Sequence, residues 1–207
     1  MTATFDAPAE TLGEHIDRLA AIEAQADAVQ VWQPMLIPGL LQSYSYACAS
    51  IRAAAPAMPL DVVAERADTR RHRLDNLGRP GARHISVILD ESALYRPVGG
   101  HQTLIDQLEH LLALEALQPS LTVRVLPQGG QEHPGLVGAF SLYRADGRRA
   151  VFLESLTDST ISTRPEDVAA YASAWERLTA LSLSPQASVQ LIDGVRGALC
   201  RRGKTAG

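Results

Sequence analysis

Ala139-Phe140-Ser141-Leu142-Tyr143, then Ala145-Asp146-Gly147-Arg148, then Ala150-Val151-Phe152-Leu153-Glu154 decide the fold class of this chain. Two runs rich in β-branched and aromatic residues flank an Asp-Gly pair, which is the signal of a tight hairpin between antiparallel strands. Upstream, Leu121 to Leu126 and His84 to Asp90 read as two further strands. Between them, Gly99-Gly100 precedes a helix over Gln102 to Leu117, whose apolar stripe is Leu104, Ile105, Leu108, Leu111 and Leu112. Further out, Leu60 to Leu77 and Leu40 to Ala54 repeat apolar residues at helical spacing. Val29 to Gln33 alternates as a short extended run, and Glu14 to Ala28 returns to helical spacing. Downstream, Pro165 suits the first turn of a helix running to about Leu183, and Pro185 opens a last one to Leu199. Helices at both ends with strands clustered in the middle give an α+β fold: helical N-terminal and C-terminal parts around a central, mainly antiparallel sheet. The expected organisation is a tail over 1–13, one domain over 14–199 and a tail over 200–207.

Composition narrows the function classes. The chain has 207 residues, 46% hydrophobic and 20% charged, with a net charge of -4, so it can bury a core without staples. An acidic chain lacks the basic field that displaces counterions from phosphates, so nucleic-acid binding by the chain alone is not expected. Lys204 is the only lysine, which leaves no candidate for a Schiff base or a phosphate-gripping loop. Cys48 and Cys200 make no framework. No basic-then-apolar leader opens the sequence and no apolar run reaches the ~18 residues of a membrane span. A cytoplasmic, non-membrane protein is the expectation. No spaced His or Cys set indicates a metal, and no cofactor motif occurs.

The residues that stand out for chemistry lie in loops and at strand ends. Glu91 follows the strand ending at Asp90, where a carboxylate can serve as acid or ligand anchor, with Arg96 close enough to pair with it. His133 sits in Gly129-Gly130-Gln131-Glu132-His133-Pro134-Gly135, a glycine-rich loop between strands, where a base or hydrogen-bonding group would be well placed. Trp32 abuts the Pro38-Gly39 loop. Phe140 and Tyr143 share a strand with opposite parity, so one of them is expected to face the core. Trp32, Glu91, His133 and Phe140 are expected to line one pocket between the helical N-terminal part and the sheet, with Arg96 and Tyr143 as further ligand contacts. Arg66, Arg70 and Arg73 fall on one helix face and, with Arg79 and Arg83, form a basic patch. Glu65, Asp68 and Asp75 are expected to balance it as a solvated surface.

A further set of segments stands in a fixed order. They are Pro34-Met35-Leu36-Ile37-Pro38-Gly39-Leu40-Leu41-Gln42 with Tyr46-Ala47, then Leu89-Asp90-Glu91-Ser92-Ala93-Leu94 and Arg96-Pro97-Val98-Gly99-Gly100. Gln107-Leu108, Val123-Arg124-Val125-Leu126-Pro127, His133-Pro134-Gly135 before Gly138-Ala139-Phe140, and Phe152-Leu153-Glu154 follow. In this order they resemble one family, the domain of unknown function that follows the helix-turn-helix in WhiJ-type actinobacterial regulators. The match runs from about Glu14 to Leu199. Only a short tail precedes Glu14, so the helix-turn-helix of the family is expected to be absent, and Arg70-Arg71 replaces the family's usual Arg-Gln pair. The resemblance implies a regulatory or sensor domain, often partnered with small proteins encoded nearby.

Three functions compete on this reading. The first is a stand-alone module binding a small apolar or amphipathic molecule, or a small partner protein, without turnover. The second is a cofactor-independent biosynthetic enzyme of cyclase, isomerase or dehydratase type, with Glu91 and His133 as its acid–base pair. The third is an antagonist that pairs with a full-length regulator.

Overall fold

The structure, a computed structural model, describes residues 25–77, 84–129, 132–154 and 159–205. Most of the helix expected over 14–28, together with Arg79 and Arg83, lies outside these residues.

Among the described residues six strands form one sheet: β1 (Ala28–Gln33), β2 (His84–Asp90), β3 (Leu121–Leu126), β4 (Phe140–Ala145), β5 (Arg148–Glu154) and β6 (Ser159–Ser162). Their spatial order is β3-β2-β1-β4-β5-β6. The fold is α+β with helices flanking a mixed sheet. β1/β4, β4/β5 and β5/β6 are antiparallel, whereas β1/β2 and β2/β3 are parallel. The sheet is thus mixed, with three of its five pairings antiparallel. Parallel neighbours need long crossovers, and the chain supplies them. Helices α1 (Tyr44–Ala54) and α2 (Leu60–Leu77) connect β1 to β2, and α3 (His101–Leu117) connects β2 to β3. The hairpin joining β4 to β5 turns on Asp146 and Gly147, at φ of 50° and 76°, the positive pair that a tight primed turn requires.

Two more helices, α4 (Pro165–Leu181) and α5 (Pro185–Thr205), complete the chain. The last runs past Leu199, so Arg201 and Arg202 are helical. Both faces of the sheet are covered. Val29, Val31, Val87, Leu89, Val123, Val125 and Tyr143 pack against Leu104, Leu108 and Leu111 of α3 and Ile192 and Val195 of α5. Trp32, Ile88, Leu126, Phe140, Leu142 and Val151 meet Trp175 and Leu178 of α4 on the other face. Phe140 and Tyr143 do point opposite ways, but both are buried, because each face has its own helical layer. The outer edge of β3 is blunted at Val125. Its N–H donates to Ser188 Oγ at 2.9 Å and its carbonyl accepts from Leu183 N at 2.9 Å.

Two of the arginines expected on a solvated face of α2, Arg66 and Arg70, are half-buried, and the side chain of Arg73 lies outside the described residues. The Nη1 of Arg70 donates to Gln42 Oε1 at 2.9 Å and Ser50 Oγ at 3.0 Å. Gln42 donates in turn to Ile37 O at 2.7 Å. One guanidinium thus fastens α2 to α1 and to the segment after β1.

His110, half-buried on α3, has its pKa held below the usual 6.5 by burial and, second, by the charge of Arg71. A histidine with a depressed folded-state pKa contributes stability that is complete above its unfolded value and is lost as pH falls through the folded value. Urea midpoints are therefore expected to drop as pH falls from 7 toward about 5, and His110→Gln should flatten that slope. An unchanged slope in the variant would place the acid sensitivity elsewhere.

Candidate functional site

Because β1, β2 and β3 are parallel, their carboxyl ends lie together along one edge. In such sheets this edge is where loops are free to build a ligand crevice. Three segments leave it: the one beginning at Pro34, the 3-10 turn Glu91–Leu94, and the loop that carries the chain from Leu126 back across to Phe140. The last of these is pinned from below. The indole of Trp32, fully enclosed on β1, donates from Nε1 to Gly135 O at 3.0 Å. A Cβ at Gly135 would stand 2.5 Å from Trp32 Cε2, so the backbone lies hard against the indole and only glycine fits. His133 meets the same indole edge-on, with centroids 5.6 Å apart and planes at 82°.

Beside this pinned loop is a cleft of about 370 Å³. Asp90 reaches it from the end of β2 and Leu126 from the end of β3. Pro127, Gln128, Gly129, Glu132, His133 and Leu136 come from the loop, and Leu181 from the last turn of α4. Asp90 is fixed by its own turn, with Oδ1 accepting from Ser92 N at 2.9 Å, the geometry of an N-terminal cap. The Nδ1 of His133 is buried with no hydrogen-bond partner among the described residues, an unsatisfied group of a kind that clusters at functional sites.

The residues singled out from sequence are distributed around this edge. His133 lines the cleft. Trp32 does not; it is the buried platform beneath the loop. Glu91 lies behind the cleft wall. Its Oε2 accepts from Gln128 N at 2.8 Å and its Oε1 from Tyr95 OH at 3.2 Å, so both oxygens tie the turn after β2 to the loop after β3. Burial, and then the bond to Glu91, hold the pKa of that tyrosine above its usual value. Arg96 is exposed and donates to Met35 O at 3.1 Å, away from Glu91. Phe140 packs on Tyr171, with centroids 5.0 Å apart, inside the α4-side core. Tyr143 borders a separate depression of about 190 Å³ at the other end of the sheet, with Arg149, Trp175 and Glu176.

The expected position of the pocket, between the N-terminal helices and the sheet, is thereby corrected: the cleft lies between the carboxyl end of the sheet and the end of α4. Of the cleft's lining, only His133 stands among the residues expected to contact a ligand; Gln128, Glu132, Leu136 and Leu181 do not. Asp90 carried a signal, since a carboxylate two residues before Ser92 at a strand end caps the turn. Leu181, from a distant helix, carried none.

Among the described residues no group of three His, Cys, Asp or Glu side chains is arranged to hold a metal ion. No described helix is long and apolar enough to cross a membrane.

The chain belongs to the family described as Domain of unknown function (DUF5753), whose model matches residues 16–194. No curated protein matches it.

Proposed function

We propose that this chain is a cytoplasmic small-molecule-binding module, related to the effector domain of WhiJ-type helix-turn-helix regulators, and that it does not itself read DNA. The observation that carries the reading is the cleft of about 370 Å³ at the carboxyl ends of β2 and β3, over a loop held rigidly on Trp32. Its volume falls within the ~300–1,000 Å³ of ordinary ligand pockets, and it joins apolar walls to a few polar groups. The net charge of -4 and the inward engagement of Arg70 favour a non-DNA role. Turnover through Glu91 and His133 draws less support, because both oxygens of Glu91 are already engaged by Tyr95 and Gln128.

Titration of the ¹⁵N-labelled protein with hexan-1-ol, a neutral amphiphile, tests the site. The amide shifts are expected to centre on Gln128, Gly129, Glu132, His133 and Leu181. Leu181→Trp, which fills the cleft, should weaken binding by about tenfold, the equivalent of ~1.4 kcal/mol. Shifts centred elsewhere, or binding indifferent to Leu181→Trp, would remove the cleft as the ligand site.

A further inference from the structure

We infer that the ligand of this cleft is a small amine on an apolar body, its ammonium group set against Asp90 and Glu132. The inference rests on the ligand-binding reading above and adds the chemical class. Asp90 and Glu132 are carboxylates, and among the described lining residues there is no arginine or lysine. A third carboxylate, Glu91, stands immediately behind the wall on the N–H of Gln128. Arg124, the arginine of β3, is engaged with Leu183 O at 3.1 Å and does not line the cleft.

An anion entering this site would shed water against like charges with no arginine or lysine among the described lining residues to receive it. An ammonium group would exchange its hydration for charge-assisted hydrogen bonds. Asp90 is preorganised for that role, because the cap to Ser92 N at 2.9 Å fixes the carboxylate before a ligand arrives. The half-buried imidazole of His133, on the same loop, holds a ring nitrogen that no described residue satisfies. Leu126, Leu136 and Leu181 supply the apolar wall, so a bare ammonium ion would leave most of the site unfilled, and an amphiphilic amine fills both parts.

The test compares three probes of one chain length on the 207-residue chain at low ionic strength: hexylammonium, hexan-1-ol and hexanoate. Hexylammonium should bind about tenfold more tightly than the alcohol, as one charge-assisted hydrogen bond of ~1.4 kcal/mol gives, and hexanoate should bind weakest. The preference should shrink in added salt. In an Asp90→Asn, Glu132→Gln double variant the amine-to-alcohol ratio should collapse toward one. Asparagine also serves as an N-terminal cap, so the turn at Ser92 is kept, and the ratio normalises any general weakening. Hexanoate binding as tightly as the amine overturns the inference, as does a ratio that survives the double substitution. Alcohol binding at the cleft without amine preference overturns this inference and leaves the ligand-binding reading standing. Failure of all three probes at the cleft overturns both.

Discussion

Gly135→Ala is expected to destabilise the protein by about 2–3 kcal/mol, the upper part of the range for forcing an extra carbon into a packed core. A Cβ there would meet three atoms of the Trp32 indole at 2.5, 2.6 and 2.7 Å. The indole is fully enclosed and cannot yield, so the loop must lift. Lifting breaks the bond from Trp32 Nε1 to Gly135 O and the edge contact with His133, and with them one wall of the cleft. Gly129→Ala in the same loop is the matched control. Gly129 has φ of +79°, and a Cβ there would find nothing within 4 Å, so only backbone strain of about 1–2 kcal/mol is at stake. The two variants separate on the Trp32 indole N–H resonance, which should move and lose exchange protection in Gly135→Ala and hold its position in Gly129→Ala. A Gly135→Ala protein as stable as the parent, with that resonance unmoved, would show that the loop does not rest on Trp32.

Gln42→Leu is expected to cost about 2–4 kcal/mol, because it removes three hydrogen bonds from one buried side chain. Gln42 is 4% exposed. Its amide donates to Ile37 O at 2.7 Å, and its carbonyl oxygen accepts from Ser50 Oγ at 3.2 Å and Arg70 Nη1 at 2.9 Å. Leucine fills the volume and answers none of these partners. The urea midpoint should fall with little change in slope. Adding Arg70→Met should recover part of the loss, since the two side chains share one network and their effects do not add. Full additivity of the two substitutions would mean that the Arg70–Gln42 contact contributes nothing.

How much of this is legible in the sequence varies by element. His84–Asp90 and Leu121–Leu126 announce themselves as strands, and Leu60–Leu77 as a helix, with the bounds the structure gives them. Apolar content and turn residues act over a few neighbours, and each of these segments is bounded by its own breakers. β6, Ser159–Ser162, is not legible: Ser-Thr-Ile-Ser has one apolar residue, and it is a strand because β5 offers it an edge. The parallel half of the sheet does carry a signal. Val87, Ile88 and Leu89 are buried in succession, the near-continuous apolar run of a strand covered on both faces.

The candidate site divides along the same line. By itself the sequence determined that His133 would stand in a glycine-rich loop, that Phe140 and Tyr143 would point to opposite faces, and that a hairpin would turn at Asp146-Gly147. These follow from backbone sterics and the two-residue period of a strand, which need no partner. Only the tertiary structure decided that the helical layers of α3 and α5 on one face and α4 on the other would bury both aromatics. It alone decided that Glu91 would spend its oxygens on Tyr95 and Gln128, and that Leu181, far along the chain, would close a cleft with Asp90. The physical reason is that parallel pairing gathers the carboxyl ends of β1, β2 and β3 on one edge. Which distant side chains meet there depends on how the helices pack across the sheet, and no local pattern encodes that.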